Sequence, residues 1–249
     1  SGDQIIRIDG QDTKDMALEE AVSKIRGPEG TQVALTIKRG GETNEYTLTR
    51  SNIQIRTVAG KMLPDGIGYI RISMFNENTG VDFSRKYQEL EAAGMRATIL
   101  DLRDNPGGLL EECVKVAGKL VPRGPVVSVV TRDGQQETHS SGLDNVKYPL
   151  AVLVNGGSAS ASEIVAGAVQ DTGAGTLIGT KTFGKGSVQT LVRIDGGAIK
   201  LTIAKYLTPG GRSINGVGIE PDQAVEPATG PGTGDPQLAK AVEWLQGKL

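Results

Sequence analysis

Apolar runs that alternate with helical patterns from Gly66 onward constrain this chain more than any other feature. Gly66-Ile67-Gly68-Tyr69-Ile70-Arg71-Ile72 is followed by a helical pattern over about 81–93, with Phe83, Tyr87 and Leu90 at core spacing. Ala97 to Leu102 reads as a second strand, 109–120 as a second helix, and 126–130 and 150–154 as further strands. Strands separated by helices at this spacing predict a layered, mixed α/β domain with some parallel pairing. After Thr176 the pattern turns strand-rich again through Val192 and Ile203.

The residues before this core form a separate pattern. Ile5 to Ile8 reads as a strand, 16–25 as a helix with Leu18, Val22 and Ile25 on its core face, and 33–37 and 46–48 as strands, with Pro28 and Gly30 as punctuation. Pro227 to Pro236 is rich in Pro, Gly and Thr and reads as a linker to a terminal helix. The expected divisions are therefore 1–56, 57–226 and 227–249. Ser1-Gly2-Asp3 runs straight into a strand pattern, so the expectation is a cut inside a domain, with any targeting segment lying upstream.

Composition removes several function classes. A single Cys, Cys113, forbids an intramolecular disulfide, and with one His it excludes the usual zinc ligand sets. The formal net charge of −2 gives no electrostatic reason to expect nucleic acid as a partner. No apolar run approaches the roughly 20 residues of a membrane-spanning helix.

Motif spacing removes more. Gly179 to Lys185 has phosphate-loop spacing, but Gly186 stands where a magnesium-ligating Ser or Thr is required. Gly156-Gly157-Ser158-Ala159-Ser160 lacks the final Gly of a nucleophile elbow. What survives is the small-residue serine cluster Ser158-Ala159-Ser160-Ala161-Ser162-Glu163, placed where an apolar strand gives way to a helix. A serine there can expose its hydroxyl beside free backbone N–H groups, or simply cap the helix.

A nucleophilic serine needs a base. The only histidine, His139, lies in the polar stretch Glu137-Thr138-His139-Ser140-Ser141, which reads as a solvated loop or edge strand. A lysine can serve if it is neutral, which means bringing its pKa from about 10.4 to about 7 at roughly 4.6 kcal/mol. Lys185 has no acidic residue within nine positions on either side and is the best placed of the lysines, with a solvated turn lysine as the alternative.

Together the serine cluster and Phe183-Gly184-Lys185-Gly186-Ser187-Val188-Gln189 closely resemble the carboxyl-terminal processing, or tail-specific, proteases. Tyr69 to Phe75, Asp101-Leu102-Arg103-Asp104-Asn105-Pro106-Gly107-Gly108 and Gly216-Val217-Gly218-Ile219-Glu220-Pro221-Asp222 support the resemblance in family order. It implies a serine endopeptidase acting near substrate C-termini through a Ser/Lys dyad and an acyl-enzyme, with no cofactor or metal. The nucleophile falls on Ser160, the base on Lys185 and its orienting partner on Gln189. The oxyanion hole falls on the N–H of Ala161 and on Gly107 or Gly108, of which Gly107 is favoured.

The implied fold is a PDZ-like module over 1–56, lacking its first strand and carboxylate-binding loop, before a crotonase- or Clp-protease-like layered core. The implied partners are protein or peptide tails, with an envelope adaptor or a second copy of the chain as further candidates. The implied location is extracytoplasmic, in a bacterial periplasm or envelope. The rival reading is a non-catalytic peptide-binding or scaffold protein on the same fold.

Overall fold

The computed structural model describes residues 2–52, 56–194, 197–229 and 233–249. The chain divides into two compact units, Ser1–Ile55 and Arg56–Leu249. The linker expected over 227–236 lies partly outside the described residues.

The first unit holds β1 (Gln4–Ile8), β2 (Gln11–Asp12), α1 (Leu18–Ile25), β3 (Gln32–Arg39) and β4 (Glu42–Thr49). Its antiparallel sheet runs β2-β1-β3-β4. A small core of Ile8, Val33 and Leu35 is covered by Met16, Ala21 and Ile25. The helix thus presents a face different from the expected one. Leu18 and Val22, one turn apart on the neighbouring stripe, lie exposed, because Met16, Ala21 and Ile25 already cover so small a core.

The second unit holds β5 (Val58–Leu63), β6 (Ile67–Ile72), α2 (Thr79–Ala92), β7 (Ala97–Asp101), α3 (Leu110–Ala117), β8 (Gly124–Thr131), β9 (Gln136–Ser141), β10 (Leu150–Val154), α4 (Ala161–Thr172), β11 (Thr176–Gly179), β12 (Ser187–Ile194), β13 (Gly197–Leu207), β14 (Gln223–Ala224) and α5 (Pro236–Gln246). The mixed α/β expectation is borne out. The main sheet runs β14-β11-β10-β7-β6-β5, parallel from β14 to β6, with β5 antiparallel at its edge.

Alternation along these strands builds two cores. Ile70, Ile72, Leu100, Leu102, Val152 and Val154 share one core with Phe83 of α2, Val116 of α3 and Val165 of α4. Ile67, Ile99, Leu153 and Ile178 share the other with Ala241 and Leu245 of α5. Each fully buried Ile or Leu contributes roughly 1.5–3 kcal/mol. Strands covered on both faces read as continuous apolar runs, which is why β7 and β10 are entirely buried.

A second sheet, β12-β13-β8-β9, is antiparallel throughout. Cys113 in α3 is fully buried; its thiol donates to the carbonyl of Leu110, and burial pushes its pKa up. Among the described residues no helix is long and apolar enough to cross a membrane.

Candidate active site

Three adjacent parallel strands, β7, β10 and β11, deliver their following loops to the same edge of the main sheet. The carboxyl ends of parallel strands are where α/β sheets assemble sites. These loops carry Asn105-Pro106-Gly107-Gly108, the serine cluster, and Phe183-Gly184-Lys185. The topology therefore gathers segments far apart in sequence.

Ser160 stands at the N-cap of α4 with φ 55° and ψ −114°. A positive φ in a non-glycine residue stores about 1–3 kcal/mol of strain and persists only where surrounding bonds impose it. Its neighbours supply them. Ser158 Oγ donates to Leu102 O (2.8 Å) and accepts from Asn155 N (3.0 Å). The N–H of Ala159 and Oγ of Ser162 both donate to Asn105 O, each over 3.0 Å. Ser158 and Ser162 are fully buried, whereas Ser160 is half-buried. The outer serines are thus anchors, and the middle one is the least buried of the three. Ala161 is the first residue of α4, so its N–H belongs to the group that no helix satisfies internally.

The glycine turn packs directly on this corner. Gly107 has φ 98°, and a Cβ there would meet Ala159 O at 2.7 Å and Ser160 Cβ at 2.8 Å. Gly108 has φ 143°, and a Cβ there would meet Phe75 O at 2.1 Å. Only glycine fits either position. The N–H of Gly107 donates to Asn105 Oδ1 (2.9 Å), while its carbonyl accepts from Phe75 N (2.9 Å). Asn105, itself fully buried, completes the brace by donating from Nδ2 to Ile72 O (2.9 Å).

Lys185 is exposed, and among the described residues no hydrogen bond joins its ammonium to Ser160. What links the two residues is Glu163, fully buried within α4. Glu163 Oε2 accepts from the N–H of Ser160 and from the N–H of Lys185, each at 2.8 Å. Its Oε1 accepts from Thr182 Oγ1 (2.6 Å) and Gly184 N (2.7 Å). The sequence reading missed this carboxylate, although a Glu three residues after a capping Ser is a helix-start signal that could have found it. Gln189 lies on β12, exposed, with its amide 3.5 Å from Thr202 Oγ1.

His139 sits on β9 at the edge of the second sheet, with its Nε2 3.6 Å from Glu137 Oε1. Among the described residues no group of three His, Cys, Asp or Glu could hold a metal ion.

Behind the glycine loop lies a charged brace. Asp101, fully buried at the end of β7, accepts from Tyr69 Oη (2.6 Å) and from Nη2 of Arg103 (2.7 Å). Arg103 also reaches Asp235 Oδ1 (2.9 Å) and Gln237 Oε1 (3.0 Å) at the start of α5. Burial, then the bond to Asp101, pushes the Tyr69 hydroxyl up to about 12.

Comparison with known proteins is consistent with this architecture. The family model for peptidase family S41 matches residues 66–225, and that for the PDZ domain matches residues 1–38. The carboxyl-terminal-processing protease of Synechocystis sp. is 44% identical over 232 residues, covering 90% of this chain and 54% of that protein. The carboxy-terminal-processing protease of Bartonella bacilliformis is 42% identical, covering 91% and 54%. The chain thus spans about half the length of the curated relatives it matches. Among solved structures, the photosystem II D1 C-terminal processing protease superposes with a TM-score of 0.63 at 35% identity, over 91% of this chain and 64% of that one. A lipoprotein from Streptococcus agalactiae shares the fold at 20% identity and TM-score 0.63, over 78% of this chain and 71% of that one. The family model and these relatives bear out the family resemblance, and the chain belongs to peptidase family S41.

Proposed function

We propose that this chain carries the catalytic core of a serine endopeptidase that cleaves protein substrates near their C-termini. The observation that carries this reading is the convergence of the loops after β7, β10 and β11 on Ser160. In this reading Ser160 Oγ attacks the scissile carbonyl carbon while the neutral amine of Lys185 takes its proton. The C–N bond then breaks, Lys185 returns the proton to the leaving amine, and an ester to Ser160 remains. Water, deprotonated by Lys185, hydrolyses that ester and regenerates the hydroxyl.

The negative oxygen formed at each step is held by the N–H of Ala161 and by an N–H of the glycine turn. Two preorganised donors supply several kcal/mol to the transition state. Since the N–H of Gly107 is engaged by Asn105, we assign the second donor to Gly108. Lys185 reaches Ser160 by its flexible stem, because their backbone nitrogens share one carboxylate oxygen of Glu163. Gln189 orients the amine from β12.

In this reading tail presentation by strand addition belongs to the PDZ domain of the full-length protein, of which residues 1–38 match the family model. The relatives are named for the processing of carboxyl termini, which supports that reaction here, and in this reading the site of action is extracytoplasmic. Fluorophosphonate labelling tests the reading: a single adduct on Ser160, absent from Ser160→Ala and strongly reduced in Lys185→Ala, is expected. An unlabelled Ser160 in the full-length protein would favour a non-catalytic peptide-binding protein on this fold.

A further inference from the structure

We propose that Glu163 is the positioning residue of this peptidase, fixing the nucleophile and the base relative to one another by gripping the backbone of both. The inference rests on the Ser160/Lys185 reading. Its ground is the hydrogen-bond arrangement at one fully buried carboxylate, which accepts from Ser160 N, Lys185 N, Gly184 N and Thr182 Oγ1. A carboxylate offers about four lone-pair sites, so the four donors saturate it.

Helix capping accounts for only one of these bonds. A Glu at the third helical position reaches back to the N-cap N–H, here that of Ser160. The other three donors come from the lysine segment, which a cap does not require. Thr182 is itself held, because its Oγ1 also accepts from Ile219 N (2.7 Å) while its N–H donates to Ile219 O (3.1 Å). The grip is therefore anchored at both ends.

The way the lysine is held matters chemically. An ion pair between a carboxylate and the Lys185 ammonium would favour the charged amine and oppose its use as a base. Glu163 instead binds the peptide N–H of Lys185, and among the described residues it makes no ion pair. Strand, loop and helix geometry are thereby transmitted to the amine's starting point while the amine itself stays free. Misplacement of a catalytic group by about 1 Å can cost about 100-fold in rate.

The test uses Glu163→Gln, Thr182→Val and Thr182→Ser in the full-length protein, with a quenched fluorogenic peptide bearing a free C-terminal carboxylate. A glutamine retains one oxygen but points an NH2 at two N–H donors. Glu163→Gln should lower kcat by about 100-fold, slow fluorophosphonate labelling of Ser160 in proportion, and leave KM within about threefold. Thr182→Val should fall in the same direction, and Thr182→Ser, which keeps the hydroxyl, should restore activity. Combining Thr182→Val with Glu163→Gln should cost no more than Glu163→Gln alone, because both cut the same link.

Wild-type kcat in either Glu163→Gln or Thr182→Val, or a loss accounted for by the unfolded fraction in a near-UV circular dichroism melt, overturns the proposal. Should Glu163→Gln fail to fold, the Thr182 pair decides the matter. Ser160→Ala and Lys185→Ala measured alongside separate the two levels. If both remain active the dyad reading fails, whereas if both are dead and Glu163→Gln is active only the positioning role fails.

Discussion

Ser162 Oγ donates to the carbonyl of Asn105 over 3.0 Å, so the serine two residues beyond the proposed nucleophile is tied to the loop bearing the proposed oxyanion donor. Ser158 makes the equivalent tie to Leu102. Neither hydroxyl is free to attack a substrate.

The three serines should accordingly respond differently to alanine. Ser160→Ala should abolish peptide cleavage with little change in melting temperature. Ser158→Ala removes two buried hydrogen bonds and Ser162→Ala one, each bond costing about 1 kcal/mol, or about 2–4 °C, while both variants retain cleavage. Ser160→Gly should be inactive yet at least as stable as Ser160→Ala, because glycine adopts the positive φ freely. Calorimetry and peptide turnover on the four variants read both effects.

A guanidinium cannot give up its proton near neutral pH, so Lys185→Arg should be as inactive as Lys185→Ala. Both should melt like the parent, since the Lys185 side chain is exposed. His139→Ala should cleave normally. Turnover by Lys185→Arg, or its loss in His139→Ala, would point to histidine as the base.

At the glycine turn, Gly107→Ala should remove activity by pushing a methyl against Ser160 and Ala161. Gly108→Ala should also lower stability, since its Cβ would collide with Phe75 O at the link between the turn and the residues after β6. A melting shift larger for Gly108→Ala than for Gly107→Ala, with cleavage lost in both, is the expected pattern.

Removing the Arg103 side chain strips Asp101 of its cation inside the protein. Breaking a buried pair from one side costs about 3–5 kcal/mol. Arg103→Ala should show this loss in urea unfolding, together with reduced turnover, because Arg103 opens the loop that carries Gly107 and Gly108.

Acid should weaken the fold through particular carboxylates. Burial raises the pKa of Asp235, but bonds from Arg103 and Leu238 N outweigh it and hold the group below the usual range. At Asp171 the same burial effect is outweighed by Thr208, Gly210 N and Arg212. A depressed pKa in the folded state means that the unfolded chain takes up protons first as pH falls. The stability from these groups is therefore full above the ordinary Asp value of about 3.9 and is lost as pH drops through the folded values. Urea midpoints measured from neutral pH into acid should fall in that window, less steeply in Asp235→Asn.

Legibility in the sequence followed burial. β7 and β10 are apolar throughout because both faces of the sheet are covered, so their runs could be read directly. β5, an antiparallel edge strand with Gly60 and Lys61 at its centre, carries no such run, and β9 is polar because it lies at the edge of the second sheet. Ser160 and Lys185 stood out through the chemistry their segments allow. Glu163 did not, because its spacing after Ser160 marks only the cap bond, and its bonds to Thr182, Gly184 and Lys185 are fixed by folding. The same holds for Asn105, whose side chain and carbonyl brace Ile72, Gly107, Ala159 and Ser162.

The sealed thiol of Cys113 gives the molecule a built-in clock. With the sulfur inaccessible and its proton held by burial, alkylating reagents must wait for the core around α3 to open. The rate at which iodoacetamide or an aromatic disulfide modifies this single cysteine therefore reports how often that core breathes, with no dye attached. Because α3 follows the glycine turn directly, the same clock can be read with and without an acyl group on Ser160, showing whether occupying the nucleophile quiets the helix behind it.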